Sequence, residues 1–291
     1  MRSTGWKFIP EDLLNPMTLA AIDFGITNID AILRRDGELV HTRSLTEPGP
    51  LAEQFESALR SVCEAAGCSV DRVAVTGGRY RSLPGRIGGV ELVKIGEVAA
   101  IGRGGLYLSG LDEALVVSAG SGTAMVAARG ATAAHVTGSA VGGGTLQGLG
   151  RLLLGTADAL EIDRLAMQGN PNAADLTLVE AVGSAVGKLP LDANAVNFGR
   201  LASEEVKLSR PDLAAGLARL VGQVIAVIAI NAAHAEGLAH TVVTGHLVDL
   251  ACMRRVLDEV AGYYGAEITV PPTPGIGTAV GALICFEDTL K

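Results

Sequence analysis

Asp23 closes an apolar run from Leu19 to Ile22 and is followed by Phe24, Gly25, Ile26, Thr27 and Asn28. A carboxylate at a strand end, just ahead of a glycine turn, can hold a hydrated Mg2+, and the N–H groups of such a turn can face phosphate. An ordinary β-hairpin with a polar turn would carry the same residues. A second stretch, VVSAGSGTAMV, repeats the arrangement: Ser121 and Thr123 hydroxyls beside Gly120 and Gly122. Two such hairpins facing each other would clamp the phosphates of a nucleotide. A third element, VTGHLVD, ends an apolar run at Gly245, where backbone could approach a nucleoside, with His246 beside it. The stretch SAVGGGTLQGLGRLLLG, Ser139 to Gly155, places three consecutive glycines ahead of a leucine-rich helix. Glycine is a poor helix former, so this points either to a polyanion at a helix N-terminus or to a flexible loop. Glu97 follows Gly96 at a strand-to-helix boundary, a place from which a carboxylate reaches a cleft and can take a proton from a hydroxyl. A surface glutamate favoured by the helix dipole would look the same.

The elements that must position these residues follow from the hydrophobic pattern. Thr18 to Leu45 reads as three strands with turns at Gly25 and at the Asp36-Gly37 pair, a strong hairpin signal. A helical period follows over 50–67, then a strand in DRVAVTGGRY and a strand and helix in ELVKIGEVAAIGRGGLYL. From Glu113 the strand–turn–strand pattern begins again, a weak internal duplication. The second half is then mostly helical, with strands in HTVVTGHL and AEITVPP and a last helix from about Gly277. NPNAADLTL reads as a loop between helices. His234 and His240 flank a helix end, where dipole contacts are the simpler reading than a metal.

The 291 residues, 48% of them hydrophobic, suffice for one large or two medium domains, and a net charge of −8 argues against a nucleic-acid surface. Cys63, Cys68, Cys252 and Cys285 match no zinc or iron–sulfur spacing, and free thiols in a reducing compartment are expected. Residues 1–17 carry charges and prolines where a signal peptide is apolar. The segment RLVGQVIAVIAINAAHAEG is interrupted by Gln223, Asn231 and His234 and reads as a buried helix. A soluble cytoplasmic protein with no membrane partner is expected.

In this order the segments resemble the actin/sugar-kinase/Hsp70 superfamily, and within it the type II pantothenate kinases. IDFGITNIDA, VTGGRYRSLPG, GEVAAIGRGGLYL, the long stretch from Val117 to Gly155, and ANAVNFGRLAS with the helix at 218–236 carry the resemblance, over roughly residues 18–286. It implies a two-lobed actin-like (ribonuclease H-like) α/β fold with duplicated subdomains. The lobes would be 18–110 and 111–291 after an extension at 1–17, with the last helix packing back on the first lobe. It further implies ATP and Mg2+ as cofactors, pantothenate or a related hydroxyl compound as the substrate, a place in coenzyme A biosynthesis, and a homodimer. By the same resemblance Gly143, Gly144, Thr145, Leu146 and Gln147 lie against ATP with Ser121 across from them, joined by Asp23, Gly25, Thr27, Gly122, Gly245 and His246. Glu97 is the general base, and Thr123, Arg103 and His135 belong to the substrate site.

Three positions depart from that pattern. Where the family has Gly-Gly-Thr and a lysine three residues on, this chain has Gly25-Ile26-Thr27 and Asp30. Loss of the second glycine narrows the steric freedom of the turn. The aspartate removes a cation near the phosphates and adds repulsion unless it takes a metal. Where the family pairs an arginine with the substrate carboxylate, this chain has His135, shorter and without the guanidinium fork. Arg79, Arg81 and Arg103 are the nearby cations that can replace it; otherwise the substrate differs. These departures motivate a second reading, a non-catalytic sensor of nucleotide or acyl-pantetheine. A third, an activator of a radical dehydratase, would need a cluster-binding cysteine pair at a dimer interface, and Cys63 and Cys68 lie in a helix-like segment of the first lobe with no glycine-flanked pattern.

Overall fold

The computed structural model describes residues 18–35, 37–187, 189–203 and 206–291. The expected extension at 1–17 and Asp36 of the Asp36-Gly37 turn lie outside the described residues. Strands β1 (Leu19–Phe24), β2 (Asn28–Arg35) and β3 (Glu38–Leu45) form an antiparallel meander. Helix α1 (Leu51–Ala66) buries the stripe Leu51, Phe55, Ala58 and Val62, a helical period, and stops at Gly67 in the left-handed conformation. The chain returns as β4 (Arg72–Gly77), parallel to β1, then β5 (Arg86–Ile87) and β6 (Val90–Lys94), which gives a sheet of order β3-β2-β1-β4-β6-β5. Helix α2 (Glu97–Ser109) follows.

The second unit repeats the first. A meander of β7 (Glu113–Ala119), β8 (Thr123–Arg129) and β9 (Thr132–Ser139) leads to α3 (Gly143–Leu154) and α4 (Ala159–Ala166). Then come the short β10 (Leu176–Thr177), α5 (Leu178–Ala181), β11 (Asn194–Val196) and α6 (Arg200–Ser203). Long α7 (Arg210–Ala235), β12 (His240–Thr244), α8 (Ala251–Tyr264), β13 (Glu267–Thr269) and α9 (Gly277–Asp288) complete the chain. This sheet has the order β13-β12-β7-β8-β9. From the meander outward, both sheets run third, second, first strand and then two parallel strands. The two glycine hairpins therefore lie in separate sheets, as expected of duplicated subdomains.

Each sheet is covered on both faces. Ala20, Ile22 and Phe24 of β1 pack with α1, and the alternate residues Leu19 and Ala21 pack with α9. Likewise Leu115, Val117 and Ala119 of β7 face α7, whereas Ala114 and Val116 join the cluster built on α2. The connecting helix α2 thus rests on the second sheet, and the final helix α9 reaches back to the first. The two helices cross where Cβ atoms are absent: a side chain at Gly104 would overlap the Gly277 carbonyl, and one at Gly281 would overlap that of Ala100. Gly105 is held against Val116 in the same way, so the run GRGG in α2 is a packing surface on two sides.

Three expectations need correction. β9 was not anticipated, because its alanine-rich edge sequence lacks apolar alternation. NPNAADLTL is not merely a loop: it contributes β10, paired with β11, and leads into α5. The long helix starts at Arg210, ahead of the expected 218, with the Ser209 hydroxyl accepting from the Asp212 N–H and Pro211 in its first turn. Although long and apolar enough by composition to cross a membrane, α7 is mostly buried against α3, α4, α8 and the second sheet. Its apolar character is satisfied within the chain and gives no argument for a second copy. His240 pairs with Glu267 across β12 and β13 at 2.8 Å.

The crossing predicts a sharp contrast between glycines. Gly281→Val should destabilise the protein by about 3 kcal/mol, at the upper end for overpacking, because the obstacle is backbone. Gly262→Ala, on an exposed helical site with open space around it, should stabilise by about 0.5–1 kcal/mol. Urea denaturation of both variants checks the difference; equal effects would contradict the crossing.

Candidate active site

The tips of the two hairpins meet. The Thr27 hydroxyl of the β1–β2 turn and the Ser121 hydroxyl of the β7–β8 turn are 2.6 Å apart, a hydrogen bond between the two sheet units. Ile26, at the tip, is 79% exposed and has no positive φ, so this position does not demand the glycine whose absence was expected to restrict the turn. Asp23 lies behind the tip, paired in register with Asp30 of β2 and Thr76 of β4. Its carboxylate lies against Gly77, which has φ +91; a Cβ there would overlap it, so both the conformation and the space require glycine.

Burial first, then the charges of Asp30 and Glu97, push the Asp23 carboxyl up to about 7, against a lowering by His246. Glu97, exposed at the first turn of α2, is therefore close enough for its charge to be felt at Asp23. The Asp23 carboxylate accepts no hydrogen bond from a described residue. A half-buried carboxyl with no hydrogen-bond donor among the described residues, under the charge of two further carboxylates, has the chemistry of a site for a hydrated divalent cation. Among the described residues no group of three or more His, Cys, Asp or Glu forms a chelating set, so a cation here would keep most of its water.

Asp30, whose charge acts on Asp23, is itself enclosed by two histidines and an arginine. His41 Nε2 of β3 lies 2.9 Å from Oδ1, and His246 Nε2, just after β12, lies 2.7 Å from Oδ2. Arg43, cross-strand partner of Asp30, stands 3.7 Å from it and 3.7 Å from Asp249. His246 Nδ1 meets Asp249 at 2.9 Å. Burial would raise Asp30, but the hydrogen bonds with His246 and His41 outweigh it and hold the carboxyl below its ordinary range. Burial would lower His246, but its contacts with Asp249 and Asp30 raise it to about 9. Both ring nitrogens face carboxylates, which only accept, so His246 is an imidazolium donating twice.

The glycine-rich segment has a second explanation beside phosphate. The N–H groups of Gly143 and Gly144 donate to the carbonyls of Gly120 and Ser121, at 2.8 and 2.9 Å. A Cβ on Gly142 would lie 2.7 Å from the Ser121 carbonyl, and one on Gly144 3.1 Å from it. The glycines let the start of α3 lie backbone-to-backbone on the second hairpin, and these two N–H groups are engaged there and do not face a ligand. Thr145 closes the turn, its hydroxyl 3.3 Å from the Gly142 N–H and 3.3 Å from the Ala140 carbonyl. At the hairpin tips the Thr27 and Ser121 hydroxyls are bonded to one another, one donating and the other accepting.

The sequence model of the family described as Fumble, that of the type II pantothenate kinases, matches residues 113–267, more than half of the chain. The chain belongs to this family. A type II pantothenate kinase of Oceanobacillus iheyensis is 27% identical over 217 residues, 72% of this chain and 80% of the relative. One from Bacillus cereus (strain G9842) is 22% identical over 222 residues, 74% and 81%. Among solved structures, component A of the (R)-2-hydroxyglutaryl-CoA dehydratase of Acidaminococcus fermentans superposes with a TM-score of 0.65 at 18% identity, covering 95% of this chain and 100% of that one. A ROK family glucokinase from Streptomyces griseus, in complex with glucose and AMPPNP, gives 0.56 at 15%, covering 92% and 99%. These structural likenesses show the two-lobed actin-like ATPase fold.

Several residues expected at a Fumble-family site are placed elsewhere. Leu146 is fully buried in the core of the second unit and presents no side chain to a ligand. The Thr123 hydroxyl is buried and donates to the Val141 carbonyl at 2.9 Å, so it steadies the approach to the glycine-rich segment and is not open to substrate. Arg103 donates to the Gly130 carbonyl at 3.2 Å and pairs with Asp288 at 2.7 Å, remote from the hairpin tips. Gly245 (φ +97) packs on the backbone of Ala119, and His246 is held by Asp30 and Asp249, so neither is poised for a nucleoside. His135 is exposed on β9, on the face shared with Ala133, which touches Gly102 of α2. Gln147 is half-buried in the second turn of α3, and Gly122 lies in the hairpin tip beside Ser121. His41, Arg43 and Asp249 were not anticipated. The β2–β3 register that pairs Arg35 with Glu38 also pairs Asp30 with Arg43, and a count outward from the Asp36-Gly37 turn would have found that contact.

The charge network predicts how stability depends on pH. His246 binds its proton more tightly when folded than its ordinary 6.5 allows, so its contribution is fully present below about pH 6.5 and is lost as pH rises through about 9. Asp23, raised from 3.8 to about 7, subtracts stability as pH rises between those two values and adds no further slope above them, whereas Asp30, lowered, supports folding until acid protonates it. The melting temperature should therefore fall between pH 6.5 and 9, and His246→Gln should flatten that fall. Thermal denaturation across this range reads both curves; parallel curves would contradict the network.

Proposed function

We propose that this protein is an ATP- and Mg2+-dependent small-molecule kinase that phosphorylates the hydroxyl of pantothenate or a close analogue, at the start of coenzyme A biosynthesis. The observation that carries the reading is the gathering of Asp23 and Glu97 beside two duplicated hairpins whose hydroxyls touch across the cleft. Family membership and the names of the relatives support it. Bound ATP would supply the phosphoryl group, with Mg2+ to neutralise its charge. Of the chain's own residues, Asp23 would hold the hydrated cation. Thr27 and Ser121 would donate to phosphate oxygens, and Gly25, Gly122, Gly143 and Gly144 would let the hairpin tips and the start of α3 come close together. Glu97 would accept the proton of the substrate hydroxyl, and the two lobes would exclude water. With Arg103 engaged elsewhere, the substrate carboxylate is left to His135 or to Arg79 and Arg81, on the loop that follows Gly77. The protein is read as cytoplasmic and dimeric; exposed Leu152 and Leu160 now motivate the dimer in place of α7.

The sensor reading keeps a specific observation in its favour, because the position of the family's lysine is an aspartate already satisfied by two histidines. The dehydratase-activator reading finds no two cysteines on one loop among the described residues: Cys63 lies within α1 and Cys68 follows its left-handed cap Gly67.

Glu97→Gln should lower phosphoryl transfer by about 10²–10⁴-fold while leaving ATP affinity unchanged. An assay of ADP formation with pantothenate and pantetheine, beside calorimetry with ATP and Mg2+, reads both. Binding without any transfer by the wild type would favour the sensor. His135→Arg should improve the use of pantothenate by about tenfold to a hundredfold if the missing fork is what limits it. An unchanged KM would place the substrate carboxylate elsewhere.

A further inference from the structure

Asp30 belongs to the first sheet and His246 follows β12 of the second, so the bond between them joins the two units, as the Thr27–Ser121 contact does. Each end is anchored in its own unit. Asp30 is almost wholly buried and held on the other oxygen by His41. His246 is backed by Asp249 and lies against Gly275, where any side chain would overlap the imidazole. Arg43 reaches both carboxylates from β3. A contact prepared on both sides in this way cannot follow a separation of the hairpins; it must break when they part.

We infer that the Asp30–His246 ion pair, backed by Asp249 and His41, is a cross-lobe tie that holds the two phosphate hairpins together and controls opening of the cleft. It stands where relatives are expected to carry a lysine. A lysine ammonium there would be offered to a ligand, whereas Asp30 directs its charge to the opposite lobe. The tie therefore makes entry to the cleft depend on breaking a charge-assisted hydrogen bond within the protein. Its link to nucleotide entry rests on the function proposed above, but the tie itself does not.

Amide hydrogen exchange of the full chain without nucleotide tests it, followed on peptides that span Phe24–Asn28 and Gly120–Thr123. Asp30→Asn and His246→Gln should each accelerate exchange at both hairpin tips by about tenfold or more, the scale of a lost charge-assisted bond. The double variant should exchange no faster than the faster single one. His240→Gln, which breaks an ion pair within the second sheet, should leave both tips unchanged. Unchanged tips in the single variants, additive effects in the double variant, or acceleration spread equally through β1 and β7 would overturn the tie. If Asp30→Asn does not fold, His246→Gln reaches the same bond from the other lobe and decides alone. Addition of a non-hydrolysable ATP analogue with Mg2+ separates the two ideas. Failure to slow exchange at the tips would count against nucleotide binding while the effects of the variants still establish the tie.

Discussion

The glycine crossing of α2 and α9 is the constraint on which the arrangement depends. Gly104 meets the Gly277 carbonyl and Gly281 meets that of Ala100, so the helices approach at backbone distance. Because α2 packs on the second sheet and α9 on the first, this contact fixes the sheets relative to one another. It also sets the N-terminus of α2, and with it Glu97, where its charge reaches Asp23 near the end of β1. The hairpin tips project from that frame, and their meeting at Thr27 and Ser121 follows from it.

The site works with an unusual charge distribution. The charges of two carboxylates, those of Asp30 and Glu97, both act on the Asp23 carboxyl. One of them, Asp30, is neutralised by cations from both units, so the repulsion it exerts on Asp23 is partly offset by His246. Burial and the remaining carboxylates still leave Asp23 on the edge of ionisation near neutrality. A cation bound there would face a ligand that pays little to become charged, because its own field would favour the ionised form.

Much of the frame was legible in the sequence because it rests on local signals. The apolar runs in LAAIDF and ALVVSA marked strands, Gly25 and Gly120 marked turns, and the recurrence of that pattern after Glu113 marked the duplication. What escaped depends on partners distant in sequence. Gly142 to Gly144 read as a phosphate cradle, yet the atoms they accommodate belong to Gly120 and Ser121. Asp30 read as repulsive because its partner, His246, lies 216 positions away on another sheet. Leu146 and Thr123 followed from family position, and only packing reveals that both face inward. β9 escaped for a different reason: an alanine-rich edge strand has little amphipathic pattern of its own.

The exchange of covering helices also bears on how the chain acquires its fold during synthesis. One face of the first sheet, with Leu19, Ala21 and Ile32, is covered in large part by Val280, Leu283 and Phe286 of the final helix. A ribosome finishes the β1–β4 strands long before those residues emerge, so that apolar face waits uncovered through most of translation. The first unit cannot mature independently of the second, and a nascent chain arrested ahead of α9 would present that face to chaperones.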